Sequence, residues 1–305
     1  MSKGIKINTN LIKKISSFLK RADSLKYLDP YIFETIDTYK VNNDIDFNDY
    51  YLEYISNLPK LDFESVVRIS RKVYKSYGKE KEFDSILERI INNYGISVGS
   101  LNKDDDNCIT KASEDRILLS GTYYDVVLLC HEIGHKLRYD NSMNSTDIMD
   151  SLLFETPSII FEIAASNYIL DNYGIDIGAE QLRKMQVFSI KRENGIENSI
   201  FSIVIKLLKD RKLNIINLYK EFCKDKEIVE YLDRQDTNIK NCMDEGVSEY
   251  SYDIGYILGS YVNSSDNKIG ILNMLLKYKD KGISTSFGID EEIIKSTLKS
   301  EKYTK

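Results

Sequence analysis

Three prolines and fifteen glycines in 305 residues leave this chain with few of the residues that break or turn a backbone. Long segments instead repeat apolar residues at three- and four-residue spacing, which places them on one face of a helix. "NLIKKISSFLKRA", "SVVRISRKVYKSY", "FDSILERIINNY", "IFSIVIKLLKD" and "IGILNMLLKYK" all read this way. Each is predicted to bury its apolar stripe and leave its charges in solvent. With 42% hydrophobic residues, the chain can bury a sizeable core. The predicted fold class is mainly α, with a small α+β element in one place.

That place is "ISVGSLNKDDDNCITKASEDRILLSG", residues 96 to 121, where turn-forming clusters fall at Lys103 to Asn107 and at Ser113 to Asp115. Between and after them, "CITKA" and "RILLSG" read as short strands. The last strand is predicted to run directly into a helix starting near Gly121 or Thr122. Asp125 in its first turn would suit the helix dipole.

Composition removes several partner classes. Acidic residues number 48 against 42 basic, a net charge of −6, so no broad basic surface is expected for nucleic acid. No apolar run approaches membrane-spanning length, and the N-terminus lacks the uninterrupted apolar core of a signal peptide. The expectation is a soluble, cytoplasmic protein with no membrane partner. Cys108, Cys130, Cys223 and Cys242 form no CxxC pair, and reduced, mostly buried thiols are expected.

The only two histidines, His131 and His135, stand four residues apart in "VVLLCHEIGHKLRYD", with Glu132 beside the first. On a helix, positions i and i+4 lie one turn apart on one face, so both imidazoles can reach a single metal ion. Glu132, rotated to the flank, can then reach a water molecule activated by that metal. In this HExxH arrangement the metal lowers the water pKa toward roughly 7, and the glutamate takes its proton during attack on a carbonyl. One zinc ion is the usual occupant. The bland alternative, two ordinary histidines in a helix, requires a spacing and a neighbour that chance rarely supplies. Gly134 inside the helix costs about 1 kcal/mol relative to alanine and signals close packing there.

A catalytic zinc takes a third protein ligand. Glu155 follows His135 with nineteen residues between, enough to leave the first helix, turn and return on a second. Glu162 is seven residues further, two turns on, and shares its face. Glu155 as ligand and Glu162 as acceptor for an imidazole N–H make a consistent pair, because zinc-bound histidines commonly donate their other nitrogen to a carboxylate. Asp147 and Asp150 remain alternative ligands, and either glutamate could instead face solvent.

At these residues the chain resembles the thimet oligopeptidase and oligoendopeptidase F family of zinc peptidases, whose signature is a strand, HExGH, and a glutamate in an "ExPS" context with another glutamate seven residues on. "RILLSG", "HEIGH" and "FETPSIIFE" supply the parts in that order. The resemblance implies a helical zincin-like fold, zinc ligands His131, His135 and Glu155, general base Glu132 and support from Glu162. It implies substrates that are oligopeptides or flexible protein segments. A tyrosine-rich segment of the family stabilises the developing oxyanion, and "EYSYDIGYILGSY" is similar to it. By that match Tyr252 is the donor, Tyr250 its neighbour, and Tyr256 takes the role if the register slips. Packing is the competing role for all three, since the chain has 22 tyrosines.

The chain also departs from the family. Arg138 stands where relatives carry another histidine, and no histidine precedes the tyrosine segment. The resemblance covers mainly residues 115 to 260, with the channel-forming N-terminal half much reduced. We therefore divide the chain into a helical N-terminal region, 1–97, and a catalytic region, 98–305.

The strand before the motif helix has its own expected role. An extended peptide could pair with the edge formed by Ile117, Leu118, Leu119 and Ser120. An ordinary internal strand is the alternative. Two other functions stay open: a regulatory peptidase similar to the repressor-cleaving ImmA and IrrE group, whose post-motif helix "FEIAASNYIL" resembles, and a zinc- or peptide-binding protein without catalysis. Oligomeric state is not legible in the sequence.

Overall fold

The computed structural model describes residues 9–21, 53–93, 96–98, 117–142, 151–178, 196–234 and 239–276. In chain order its helices are α1 (Thr9–Arg21), α2 (Phe63–Lys75), α3 (Glu80–Asn93), α4 (Tyr124–Ser142), α5 (Thr156–Tyr173), α6 (Ile196–Lys209), α7 (Ile215–Phe222), α8 (Lys226–Asp233), α9 (Ile239–Ser264) and α10 (Lys268–Leu276). The fold is mainly helical, and each of the five periodic segments forms a helix: α1, α2, α3, α6 and α10. Local chemistry sets several boundaries. Asp62 caps α2 by accepting the Ser65 N–H at 2.8 Å, and this hydrogen bond holds its carboxyl below the usual range. Asn214 and Asp225 cap α7 and α8 in the same way. Gly174, at φ 67°, ends α5 in the left-handed conformation that glycine tolerates best.

The motif helix α4 lies at the centre of the packing. α5 runs along it, α9 packs on α5, and α2 packs on α4 and also touches α5. α5 is buried from Thr156 through Ser166, with Ser158, Glu162 and Ser166 on one polar stripe among the buried residues. Tyr74 of α2 reaches both central helices: its ring stacks on Phe161 of α5 at 3.9 Å and 3°. Its hydroxyl donates to the Cys130 carbonyl of α4 at 2.7 Å. Tyr77 adds an edge-on contact to Phe161 at 5.2 Å. Full burial of each such ring or of a leucine contributes roughly 1.5–3 kcal/mol. Residues from Leu11 to Leu276 share this hydrophobic core, in which α2 and α3 pack on α4 while α1 packs on α7, α8 and α9.

Two three-residue strands, β1 (Ile96–Val98) and β2 (Ile117–Leu119), pair in parallel with Ile96 opposite Ile117 and Val98 opposite Leu119. β2 lies within "RILLSG"; its partner is the "ISV" segment, while "CITKA" falls outside the described residues. The helix start also differs from the sequence reading. Gly121 adopts φ 76°, its carbonyl accepts from the Leu61 N–H at 3.0 Å, and Thr122 bridges to Lys60. These ties hold residues 121 and 122 out of helical geometry, and α4 begins at Tyr124.

Of the thiols described, Cys130 is buried and Cys223 exposed, and both are free. Cys223 departs from the buried expectation because it is the C-cap of the short helix α7, one residue past the buried Phe222. No helix among the described residues is long and apolar enough to cross a membrane.

Candidate metal centre

His131 and His135 fall one turn apart on the α4 face that meets α5, and their Nε2 atoms lie 3.1 Å from each other. Glu155 stands at the N-cap of α5, just before its first helical residue. Its Oε2 lies 3.7 Å from His131 Nε2 and 3.5 Å from His135 Nε2. The point equidistant from these three atoms is about 2.0 Å from each, the bond length of nitrogen and carboxylate donors to an ion such as zinc. Among the described residues, this group is the one able to hold a metal ion through three such donors. The alternatives Asp147 and Asp150 lie outside the described residues, as does the Arg138 side chain.

Glu162, two turns into α5, approaches the other edge of His131, with 2.9 Å between Oε2 and Nδ1. A carboxylate only accepts, so the proton must sit on Nδ1 and the Nε2 lone pair faces the shared point. His135 is fixed differently: its ring stacks on Phe154 at 4.5 Å and 22°, and stands nearly perpendicular to His131 at 86°. Phe154 immediately precedes Glu155, so one short segment supplies both a carboxylate donor and a ring that orients an imidazole.

The electrostatics favour a cation. Glu155, Glu162 and Glu132 are only 5%, 4% and 6% exposed. Burying carboxylates is costly unless they are paired or bind metal. Here two imidazoles and the Glu155 carboxylate converge with Glu162 behind His131, a donor set matched to a divalent ion.

Glycine makes the approach possible. A Cβ placed on Gly134 would lie 2.6 Å from Ser158 Cα and 2.9 Å from Ser158 N, so the tight crossing signalled by this residue is the first turn of α5. Gly255 of α9 plays the same part on the other side, where a Cβ would lie 3.2 Å from the Glu155 carbonyl carbon.

The tyrosine segment lies on α9, with Gly255 against Glu155 and Gly259 against Ile159. This register carries the turn bearing Tyr252 past the N-terminus of α5, towards the end that bears Glu155. Tyr252 is half-buried and packs on the core. Tyr250 is 4% exposed and meets Phe201 of α6 edge-on at 5.0 Å. Tyr256 is fully buried at 1% exposure.

Ahead of the motif, Asp125 is in the first turn of α4 as expected, but its carboxylate folds back on the strand exit. It accepts from the Ser120 N–H, the Ser120 hydroxyl and the Gly121 N–H at 2.7 Å each, and from the Thr122 N–H at 3.2 Å. Burial still pushes its pKa above the usual carboxylate value. Ser120 therefore spends its N–H and hydroxyl on Asp125. Ile117 and Leu119 are buried, and β2 pairs with β1 along one edge.

Several residues that build the site carried no individual signal in the sequence. Gly255 was visible only as a glycine among tyrosines, Phe154 only as the residue before "ETPS", and Tyr74 only as one apolar position of a periodic helix. No family model matches the chain, and no curated protein or solved structure matches it.

Proposed function

We propose that this protein is a zinc-dependent metallopeptidase that hydrolyses peptide bonds in oligopeptides or flexible protein segments, with a zincin-like site of the kind its resemblance to the thimet oligopeptidase family implies. The observation that carries the reading is the convergence of His131 Nε2, His135 Nε2 and Glu155 Oε2 around one point, with Glu162 on the back of His131. Zinc bound by these three would supply Lewis acidity, activating a water molecule and polarising the scissile carbonyl.

The chain's own residues do the rest. Glu132 follows His131 on α4, is buried, and acts as the general base. It takes a proton from the attacking water as the new C–O bond forms, and passes that proton to the amine nitrogen as the C–N bond breaks. Tyr252 donates its hydroxyl to the oxygen on which charge develops. The edge of β2 away from β1, Ile117 to Leu119, aligns an extended peptide by backbone hydrogen bonds. Ser120 acts through Asp125, fixing the strand exit relative to α4.

Glu132→Gln tests the mechanism. It preserves shape and removes the base, so it should retain one metal ion per chain and lose at least about 10²-fold in peptide hydrolysis. Hydrolysis at the wild-type rate by the metal-loaded variant would refute the assignment.

A further inference from the structure

We infer that Gly134 and Gly255 are positioning residues that set the spacing of the three metal donors, and that they thereby tune the site to a small ion; this rests on the metal-centre reading above. Glu155 and the three residues after it run between two helices. On one side Gly134 of α4 meets Ser158 Cα, Ser158 N and the Pro157 carbonyl carbon, with distances from a built Cβ of 2.6, 2.9 and 3.1 Å. On the other side Gly255 of α9 meets Ile159 Cδ1 at 2.7 Å, the Glu155 carbonyl carbon at 3.2 Å and Glu155 Cβ at 3.3 Å. All three contacts at Gly134 are backbone, which cannot swing aside as a flexible side chain can. Any side chain there must move the start of α5 away from α4, and Glu155 moves with it.

The consequence follows from the donor geometry. His131 and His135 are fixed to each other by one turn of α4, so the α4–α5 separation controls the two longer edges of the donor triangle, 3.7 and 3.5 Å. Lengthening those edges enlarges the hole beyond the about 2.0 Å that suits zinc. Gly259 provides an internal control. It packs on the same α5 helix, with a built Cβ 3.0 Å from Ile159 Cγ2 and 3.4 Å from the Ile159 carbonyl carbon, one turn away from the donor.

The test uses the full chain, stripped of metal by chelator and dialysis, with zinc and cadmium affinities measured by competition against a chromophoric chelator. Thermal melts in excess chelator report folding separately. Gly134→Ala should bind zinc at least about tenfold more weakly than wild type, the range in which supporting groups alter metal affinity. The larger cadmium ion should lose less, so the preference for zinc over cadmium narrows. Gly259→Ala should melt earlier and yet keep zinc affinity within about threefold. If Gly134→Ala does not fold, Gly255→Ala combined with Ile159→Val decides: the valine removes Cδ1, leaving Glu155 as the atom group that must yield, and the same narrowing is expected.

Wild-type zinc affinity in a folded Gly134→Ala or Gly255→Ala/Ile159→Val protein would overturn the inference while leaving the metal centre standing. So would an unchanged zinc-to-cadmium ratio, or an equal loss in Gly259→Ala. A wild-type chain that takes up neither ion would remove the metal centre and the inference together.

Discussion

Helix α4 packs on both α2 and α5, and the two contacts are built from different chemistry. Towards α2 the Tyr74 hydroxyl meets the Cys130 carbonyl, and the Tyr74 ring lies flat on Phe161 of α5. Towards α5 it is polar: two imidazoles face Glu155 and Glu162, and Gly134 lets the α5 backbone close on α4. Low polarity on the first side stabilises the helix through area burial and one well-made hydrogen bond. Low polarity around the second raises the cost of every unpaired charge, and so the value of a cation between the carboxylates. The same burial serves stability on one face and favours a cation on the other, at a group able to hold one.

That division can be broken experimentally, and the largest effects belong to the α5 side. His135→Ala and Glu155→Ala should each abolish stoichiometric metal binding, against about one ion per wild-type chain, by elemental analysis after dialysis in metal-free buffer. Retention of the metal by either variant would place the donors elsewhere. A smaller loss is expected from Glu162→Gln, which keeps an acceptor for His131 Nδ1 but removes the charge. Metal affinity should fall about tenfold in a competition titration, without loss of the folded state.

On the α2 side the expected pattern inverts. Tyr74→Phe retains the stacked ring and removes only the hydroxyl that donates to Cys130. Chemical denaturation of the metal-free protein should show a loss of about 1 kcal/mol, while metal affinity stays at the wild-type level. A matched fall in affinity would mean that the two sides of α4 are coupled through its backbone. The smallest effect is an absence of reaction. Burial pushes the Cys130 thiol up to about 12, so it stays protonated at pH 8, whereas Cys223 is exposed. Peptide mapping after brief treatment with a thiol reagent should find Cys223 modified and Cys130 modified only after denaturation.

Much of the fold was legible because helical periodicity is a local signal. The five periodic segments carry it over three or more turns, and packing agrees with it in each. Strand β2 was legible as apolar residues after the second turn cluster, but its partner was not, because strand pairing joins residues distant in sequence. The start of α4 was read two to three residues early. What delays it is a contact with Leu61 and Lys60, far up the chain, together with the left-handed backbone of Gly121.

The candidate site divides in the same way. By itself the sequence determined that His131 and His135 share a helix face with Glu132 beside them, and that Glu155 and Glu162 stand two turns apart on a later segment, since those relations follow from the pitch of a helix. Only the tertiary structure decided that Glu155 meets the Nε2 edge of His131 while Glu162 meets the Nδ1 edge, that Phe154 holds the ring of His135, and that Tyr74 backs the helix. The crossing of α4, α5 and α9 at Gly134 and Gly255 brings those groups within bonding reach. A helix crossing is fixed by how closely two backbones can approach, and that is a property of both surfaces at once, which neither segment carries alone.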